Sequence, residues 1–227
     1  MRKMAFVKGM FRLKKRKVGI LLYDYVDVLD FTGPAEVFSL TSNNKAEQVI
    51  NLYKKHLLPT NPFEVFTITE SGKQIKTHTG IRVEPDFSIV NNPELDILII
   101  PGGPLRAVQS VVKNTTIQEW IIRHKNIEYI CSVCTGAIIL GETGLLNGKK
   151  ATTHHLALKM LQEKYPDILV ESDHKVIQDG NLITSGGVSS GINMALYLVE
   201  QTLGKPAAER TAKTIEFGNI EGKLLFN

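Results

Sequence analysis

The sequence predicts an α/β fold, a mostly parallel central sheet with helices on both faces. Three observations carry this. Strand-like and helix-like stretches alternate along most of the 227 residues. Residues 17–23 (KVGILLY) and 95–100 (LDILII) are continuously apolar instead of alternating, as strands covered on both faces are. In residues 127–141 a β-branched and aromatic stretch breaks into small residues and then an apolar helical face, with Cys134 at the break and Thr135-Gly136 as the turn. A strand that turns sharply into a helix with a nucleophile at the turn is an elbow.

The elements follow in order. After the strand at 17–23, Asp24, Asp27 and Asp30 lead to Phe31-Thr32-Gly33-Pro34, where Thr32 is placed to cap and Pro34 to start a helix over 35–40. Residues 43–55 extend or follow it, and Pro59 and Pro62 end that region. Residues 63–70 (FEVFTITE) alternate as a strand, and 75–79 and 81–83 read as a short hairpin. The strand at 95–100 ends at Pro101-Gly102-Gly103-Pro104, and 116–125 is a helix. The elbow follows, and Gly144 stops its helix. Asn147-Gly148 carries a hairpin-turn signal. Then come a strand at 151–153, a helix at 155–164, strands at 168–171, 174–178 and 182–185, and helices at 189–203 and 206–217. Asp179-Gly180 is a tight turn between two of those strands. No internal repeat or linker divides the chain, so residues 17–227 read as one domain behind a basic extension, 1–16, expected to be disordered.

Composition is that of an ordinary globular protein, with 43% hydrophobic and 22% charged residues. The net charge of +4 is concentrated at the N-terminus, where eight Lys and Arg residues precede the first acid, Asp24. The remainder is slightly acidic, so the charge is no footprint of nucleic-acid binding. No apolar run is long enough to span a membrane, and the extension lacks the apolar core of a signal peptide. The two cysteines lie three residues apart, which argues against a disulfide-stapled secreted fold and for a cytoplasmic protein.

Cys134 is the leading functional candidate. An elbow lifts the thiol out of the sheet and sets it at a helix N-terminus, where unpaired N–H groups favour the thiolate. The competing reading is that a small residue is needed where strand meets helix, and Cys is a small hydrophobe. Cys131 lies inside the strand and reads as core, since a redox CxxC pair places its first cysteine at the helix start. The Pro101–Pro104 loop ends a strand at the same sheet edge, where ligands of such folds bind. The N–H groups of Gly103 and Thr135 are placed to form an oxyanion hole, although a plain tight turn explains the same motif. Asp30 belongs at that edge too, and a carboxyl beside a cysteine in a dry pocket makes a coupled acid–base pair. Asp24, Asp27 and Glu36 compete with it by position. Of the histidines, His154 and His155 follow a strand and one of them can reach the pocket; His56, His78, His124 and His174 read as surface residues. The sequence shows no convincing metal-ligand spacing and no Walker or Rossmann phosphate loop, so no metal or cofactor is expected. Thr184-Ser185-Gly186-Gly187 rims the same pocket, and Gly191 reads as a close helix-packing residue.

Residues 132–137 (SVCTGA) and 144–154 (GLLNGKKATTH), with Leu29-Asp30-Phe31-Thr32-Gly33-Pro34, Pro101-Gly102-Gly103 and Thr184-Ser185-Gly186-Gly187 in the same order, resemble the ThiJ/PfpI superfamily, whose domain is of the class I glutamine amidotransferase-like type. Within it they are most similar to the branch that includes the isonitrile hydratases. The resemblance covers residues 17–204. It implies a flavodoxin-like three-layer sandwich, usually a homodimer, with Cys134 as nucleophile, Asp30 as its acidic partner and Thr135 beside them. It further implies a small-molecule substrate: an isocyanide that Asp30 protonates on carbon while Cys134 attacks, giving a thioimidate that water opens to an N-substituted formamide. Proteases of the superfamily carry a His directly after the nucleophile. Here that position is Thr135, which leaves His154 as the only substitute and speaks against peptide cleavage. The same domain precedes a DNA-binding region in some regulators, and that region falls beyond residue 227, so no nucleic-acid partner is expected. The family's Asp in the helix after the Thr-Ser-Gly-Gly loop is Asn193 here. Two other readings stay open: another cysteine-dependent activity, glyoxalase, deglycase or amidase-like, and a non-enzymatic stress or redox sensor built on the same thiol.

Overall fold

The computed structural model describes residues 15–218. Its main sheet has seven strands in the order β10-β11-β7-β6-β1-β2-β5. These are β1 (Arg16–Leu21), β2 (Phe63–Thr69), β5 (Phe87–Ser88), β6 (Ile97–Ile100), β7 (Tyr129–Val133), β10 (Val176–Asp179) and β11 (Leu182–Ser185). All neighbours pair in parallel except β10, which runs antiparallel to β11 across the Asp179-Gly180 turn. Two small two-stranded sheets complete the set: the antiparallel pair β3 (Ile75–Lys76) and β4 (Arg82–Val83), and the parallel pair β8 (Lys150–Ala151) and β9 (Leu169–Val170).

Helices α1 (Val28–Leu40), α7 (Ser190–Leu203) and α8 (Lys205–Thr214) pack together on the sheet. A second group, α3 (Leu105–Val112), α4 (Thr115–Arg123), α5 (Gly136–Glu142) and α6 (Leu158–Lys164), packs as another layer. The peripheral α2 (Lys45–Tyr53) is capped by Asn44, whose side chain accepts from the Glu47 N–H. The apolar runs become the central strands. Every residue of β6 is buried, and Val18, Ile20 and Leu21 of β1 are fully shielded. Such strands bury both faces because helices cover both.

This frame fixes the site. β1 sits at the point where the strand order reverses, with β2 on one side and β6 on the other. The crevice beyond the carboxyl ends of β1, β6, β7 and β11 is where this architecture binds ligands.

Several sequence expectations need correction. Thr32 does not cap a helix at Ala35, because α1 already begins at Val28 with Asp27 as N-cap residue and Pro34 inside it. Thr32 Oγ1 donates to the Val28 carbonyl instead, at 2.8 Å. Proline lacks the N–H that would reach Asp30 O, a defect of about 3 kcal/mol in a free helix. Burial of Phe31, Val37 and Phe38 on either side of Pro34 holds the helix together. Asn147-Gly148 does not make a hairpin: Gly148 takes a positive φ of 71° and hands its N–H to Asp167 O, and the strand after it pairs in parallel. α3 and β5 lie in stretches to which the sequence assigned nothing. α3 buries Val108, Val111 and Val112, one helical stripe masked by the turn signals just before it. β1 opens at Arg16, whose guanidinium grips Glu128 through Nε and Nη2, one residue before the strand expected from Lys17. Residues 1–14 lie outside the described range.

Candidate active site

The elbow forms where β7 meets α5. Cys134 has φ 56°, a left-handed conformation that a residue with a side chain adopts only when its surroundings impose it. Three contacts do so. The Cys134 N–H is shared between Ser185 O at 3.1 Å and Gly186 O at 2.9 Å, and its carbonyl accepts from Thr153 Oγ1 at 2.7 Å. Gly136 lets α5 start against β6, since a Cβ there would lie 2.1 Å from Ile100 O. Cys131 is fully buried in β7 and its thiol is pushed far up by burial alone.

Asp30 is brought to Cys134 by the first turn of α1. Its carboxyl is fully shielded; Oδ2 accepts from the Gly102 N–H at 2.9 Å, while Oδ1 has no partner. Asp27, Asp30 and Cys134 place one side-chain oxygen or sulfur each within 4.8 Å of the others. Such a set is also one that a metal ion can use.

Burial dominates the electrostatics. It raises the Asp30 pKa to about 7, assisted by the charge of Asp27 and opposed by the Gly102 N–H and the Cys134 side chain. Burial and then the Asp30 charge push the Cys134 thiol up to about 11, against the N–H groups of Val188 and Thr135 that pull it down. The expectation of a standing thiolate is therefore overturned. The N–H groups at the helix start act in the expected direction, but desolvation and a neighbouring carboxylate outweigh them. The two groups are coupled and titrate as a unit, Asp30 losing its proton before sulfur does.

Thr135 and Gly103 are brought together, though not as a hole for an oxyanion. The Gly103 N–H donates to Thr135 Oγ1 at 2.9 Å, and that hydroxyl donates back to Gly103 O at 2.8 Å. The donors at sulfur are the Thr135 and Val188 N–H groups. Close backbone approach belongs to Gly102, where a Cβ would meet Thr135 Oγ1 at 2.5 Å and Asp30 Oδ2 at 2.9 Å. Gly186 supports the elbow through its carbonyl. His154 sits at the rim: its Nδ1 accepts from the Leu156 N–H, its ring lies 4.3 Å from that of His155, and a Cβ on Gly187 would touch it at 2.6 Å. Burial and His155 hold its pKa below the ordinary value.

Other contacts of the site were not assigned from the sequence. Gly102 and Thr153 lie inside the quoted motifs, but the Gly102 N–H to Asp30, the Thr153 hydroxyl to Cys134 O and the Val188 N–H to sulfur are set by loop geometry. Tyr23 is buried beside the pair and donates to Pro101 O at 3.0 Å. Asp27 is hydrogen-bonded to His78, Nδ1 to Oδ1 at 3.2 Å, across a separation of 51 residues that no local pattern reveals.

A model of the DJ-1/PfpI family matches residues 16–201. The isonitrile hydratase of Pseudomonas putida is 30% identical over 207 residues, covering 88% of this chain and 78% of that protein. The HTH-type transcriptional regulator CdhR of Pseudomonas aeruginosa is 28% identical over 203 residues, covering 88% of this chain and 54% of the regulator, so the chain spans about half that relative's length. A ThiJ/PfpI family protein from Pseudomonas syringae superposes with a TM-score of 0.76 at 23% identity, over 96% of this chain and 82% of that one.

Proposed function

The chain belongs to the DJ-1/PfpI family, and from that premise we propose that it is an isonitrile-hydratase-like hydro-lyase that adds water to a small isocyanide. The observation that carries this reading is the shielded Asp30 carboxyl, with Oδ1 unpartnered, held beside the strained Cys134 with a proton to exchange between them. The resemblance to the Pseudomonas putida enzyme supports it.

In the first step Asp30 takes the proton from Cys134 Sγ and delivers it to the isocyanide carbon as sulfur bonds to that carbon. The product is a thioimidate, R–N=CH–S–Cys134, with Asp30 again a carboxylate. Asp30 then takes a proton from water as the hydroxide oxygen bonds to carbon, and passes it to nitrogen, becoming a carboxylate again. In the collapse the C–S bond breaks, Asp30 takes the hydroxyl proton of the adduct as R–NH–CHO forms, and hands that proton to sulfur. A pKa near 7 suits a group that accepts and gives a proton in every cycle. Thr135 keeps the Gly102–Gly103 loop, and through it Asp30, in position.

A redox sensor needs a standing thiolate, because susceptibility to oxidation follows thiolate character. A thiol raised to about 11 fits substrate-triggered chemistry better. The reading includes a homodimer, supported by an apolar groove of about 350 Å³ lined by Leu29, Gly33, Val37, Ile192 and Phe217 on α1, α7 and the chain after α8. It also includes a cytoplasmic location, supported by two free cysteines; no helix among the described residues is long and apolar enough to cross a membrane. DNA binding, known from the names of some relatives, forms no part of it.

The test is disappearance of a simple isocyanide and appearance of its formamide for wild type, Cys134→Ser and Asp30→Asn, with methylglyoxal alongside. Formamide from wild type alone is expected. Consumption of methylglyoxal only would transfer the site to the glyoxalase or deglycase reading.

A further inference from the structure

An isocyanide is linear at nitrogen. With its carbon on Cys134 Sγ, its substituent begins only a few ångström from the sulfur and leaves past whatever borders the thiol on the solvent side. What stands there decides which substituents enter.

Asp27, Asp30 and Cys134 place one side-chain oxygen or sulfur each within 4.8 Å of the others. Their exposures differ. Asp30 is fully shielded, with Oδ1 unpartnered inside the crevice, and Cys134 is 3% exposed, whereas the Asp27 side chain is 28% exposed. The Asp27 carboxyl therefore stands between the reacting pair and solvent. It occupies the N-cap position of α1, where an Asp ordinarily accepts from an N–H of the first turn. Here the side chain makes no cap bond. Its Oδ1 is hydrogen-bonded instead to His78 Nδ1 at 3.2 Å. Main-chain bonds secure this arrangement: the His78 N–H donates to Val26 O and the Tyr25 N–H to Lys76 O. The segment between β3 and β4 thus fixes the carboxyl on the crevice side of the helix end.

Among the described residues no opposite charge offsets this cluster. The charges that act on Cys134, Asp30 and Tyr23 are those of Asp27, Asp30 and the thiol itself, and no Lys or Arg takes part. His154 at the rim also feels the Asp27 charge, but burial and His155 hold its pKa below the ordinary value, so it brings no cation above neutral pH. An anion entering the crevice meets two carboxylates in a poorly hydrated space, where like charges repel more strongly than in water. An uncharged substituent meets no such barrier.

We propose that Asp27 is a specificity-determining residue that, together with Asp30, turns anionic isocyanides away and reserves the site for uncharged ones. This rests on the hydratase reading. Asp27 acts as a fixed charge and neither gives nor takes a proton; the proton transfers stay with Asp30 and Cys134.

The experiment reads the charge preference in two assays at about pH 8, above the Asp30 pKa of about 7 and where histidine side chains are ordinarily neutral. The first measures alkylation of Cys134 by iodoacetamide and by iodoacetate, which match in size and differ in charge. Wild type, Asp27→Asn and Asp27→Glu are compared, with 2-mercaptoethanol as the open reference thiol. The ratio of the two rates cancels the thiolate fraction, which Asp27→Asn itself alters. In wild type the ratio is expected to exceed that of 2-mercaptoethanol by about tenfold. Asp27→Asn is expected to cut this excess by about threefold, and Asp27→Glu, which keeps the charge, to preserve most of it. A role confined to the helix end would change both rates alike and leave the ratio unmoved. A wild-type excess below about twofold, or an excess in Asp27→Asn equal to that of wild type, overturns the proposal. The second assay compares kcat/KM for methyl isocyanoacetate and for isocyanoacetate. Wild type is expected to prefer the uncharged ester by about tenfold, and Asp27→Asn to narrow the gap; equal turnover of the two by wild type overturns the proposal. If wild type makes no formamide from the ester or from benzyl isocyanide, the hydratase reading falls and the substrate class with it, whereas the alkylation ratio still decides separately whether Asp27 screens the thiol by charge.

Discussion

Replacing Asp30 with Asn should make the protein more stable at alkaline pH while abolishing formamide production. Burial raises the Asp30 pKa from 3.8 to about 7. A carboxyl whose pKa is raised on folding contributes stability that is fully present below the unfolded value and is lost as pH rises through the folded one. Wild type therefore loses stability from about pH 4 to about pH 8, by on the order of 4 kcal/mol if the whole shift is expressed, at 1.36 kcal/mol for each unit. Asn has nearly the shape of Asp, and its side-chain oxygen can still accept from the Gly102 N–H, so it occupies the site without this penalty. Urea unfolding followed by circular dichroism, at steps from pH 4 to pH 8.5, measures the gap between the two proteins. Stopping at pH 8.5 keeps the Cys134 thiol out of its own titration. The gap should widen in favour of Asp30→Asn by about 2–4 kcal/mol, which corresponds to roughly 4–16 °C in Tm for a domain of this size. A gap that stays flat with pH would mean that the Asp30 charge is compensated in the fold, and the shared-proton account of the site would fail.

Iodoacetamide should modify Cys134 and spare Cys131, with the labelling rate of Cys134 still rising above pH 9; a plateau near pH 7 would contradict the raised thiol. Thr153→Val removes the donor to the Cys134 carbonyl and should cost about 1–3 kcal/mol in chemical denaturation, together with slower turnover from a relaxed elbow. Gly136→Ala forces a methyl against Ile100 O and should yield little soluble protein, or a midpoint lowered by more than any of the other variants; normal folding would refute the close approach of α5 to β6.

The positions of Asp30 and Cys134 were legible because each stands beside a signal of main-chain shape. Unbroken apolar runs mark the buried central strands, and the loops at their carboxyl ends converge on one edge. The chemistry was less legible. A helix N-terminus is visible in sequence and argues for a thiolate, whereas the desolvation that outweighs it depends on how tightly β6, α1 and the Gly186–Val188 loop close over the thiol. The start of α1 was missed because Thr32 and Pro34 are an orthodox cap and first-turn pair, and only tertiary burial of Phe31 carries the helix past them. The oxyanion hole placed on Gly103 met the same limit: which N–H points at sulfur is a matter of loop geometry, and Thr135 Oγ1 takes that hydrogen bond first.

The interlocking glycines of the crevice divide what can change from what cannot. At Gly102 and Gly136 the floor of the site is bare main chain, packed to distances that leave no room for a methyl group. Side-chain variation is excluded there whatever the substrate. Among the residues that follow the carboxyl ends of β1, β6 and β8, the side chains of Tyr25, Leu105 and Leu156 are exposed. Redesign of substrate preference has its freedom in that rim, where an exchange alters the shape of the opening and leaves the elbow untouched. The fold thus separates the inheritance of a reactive centre from the choice of what reaches it.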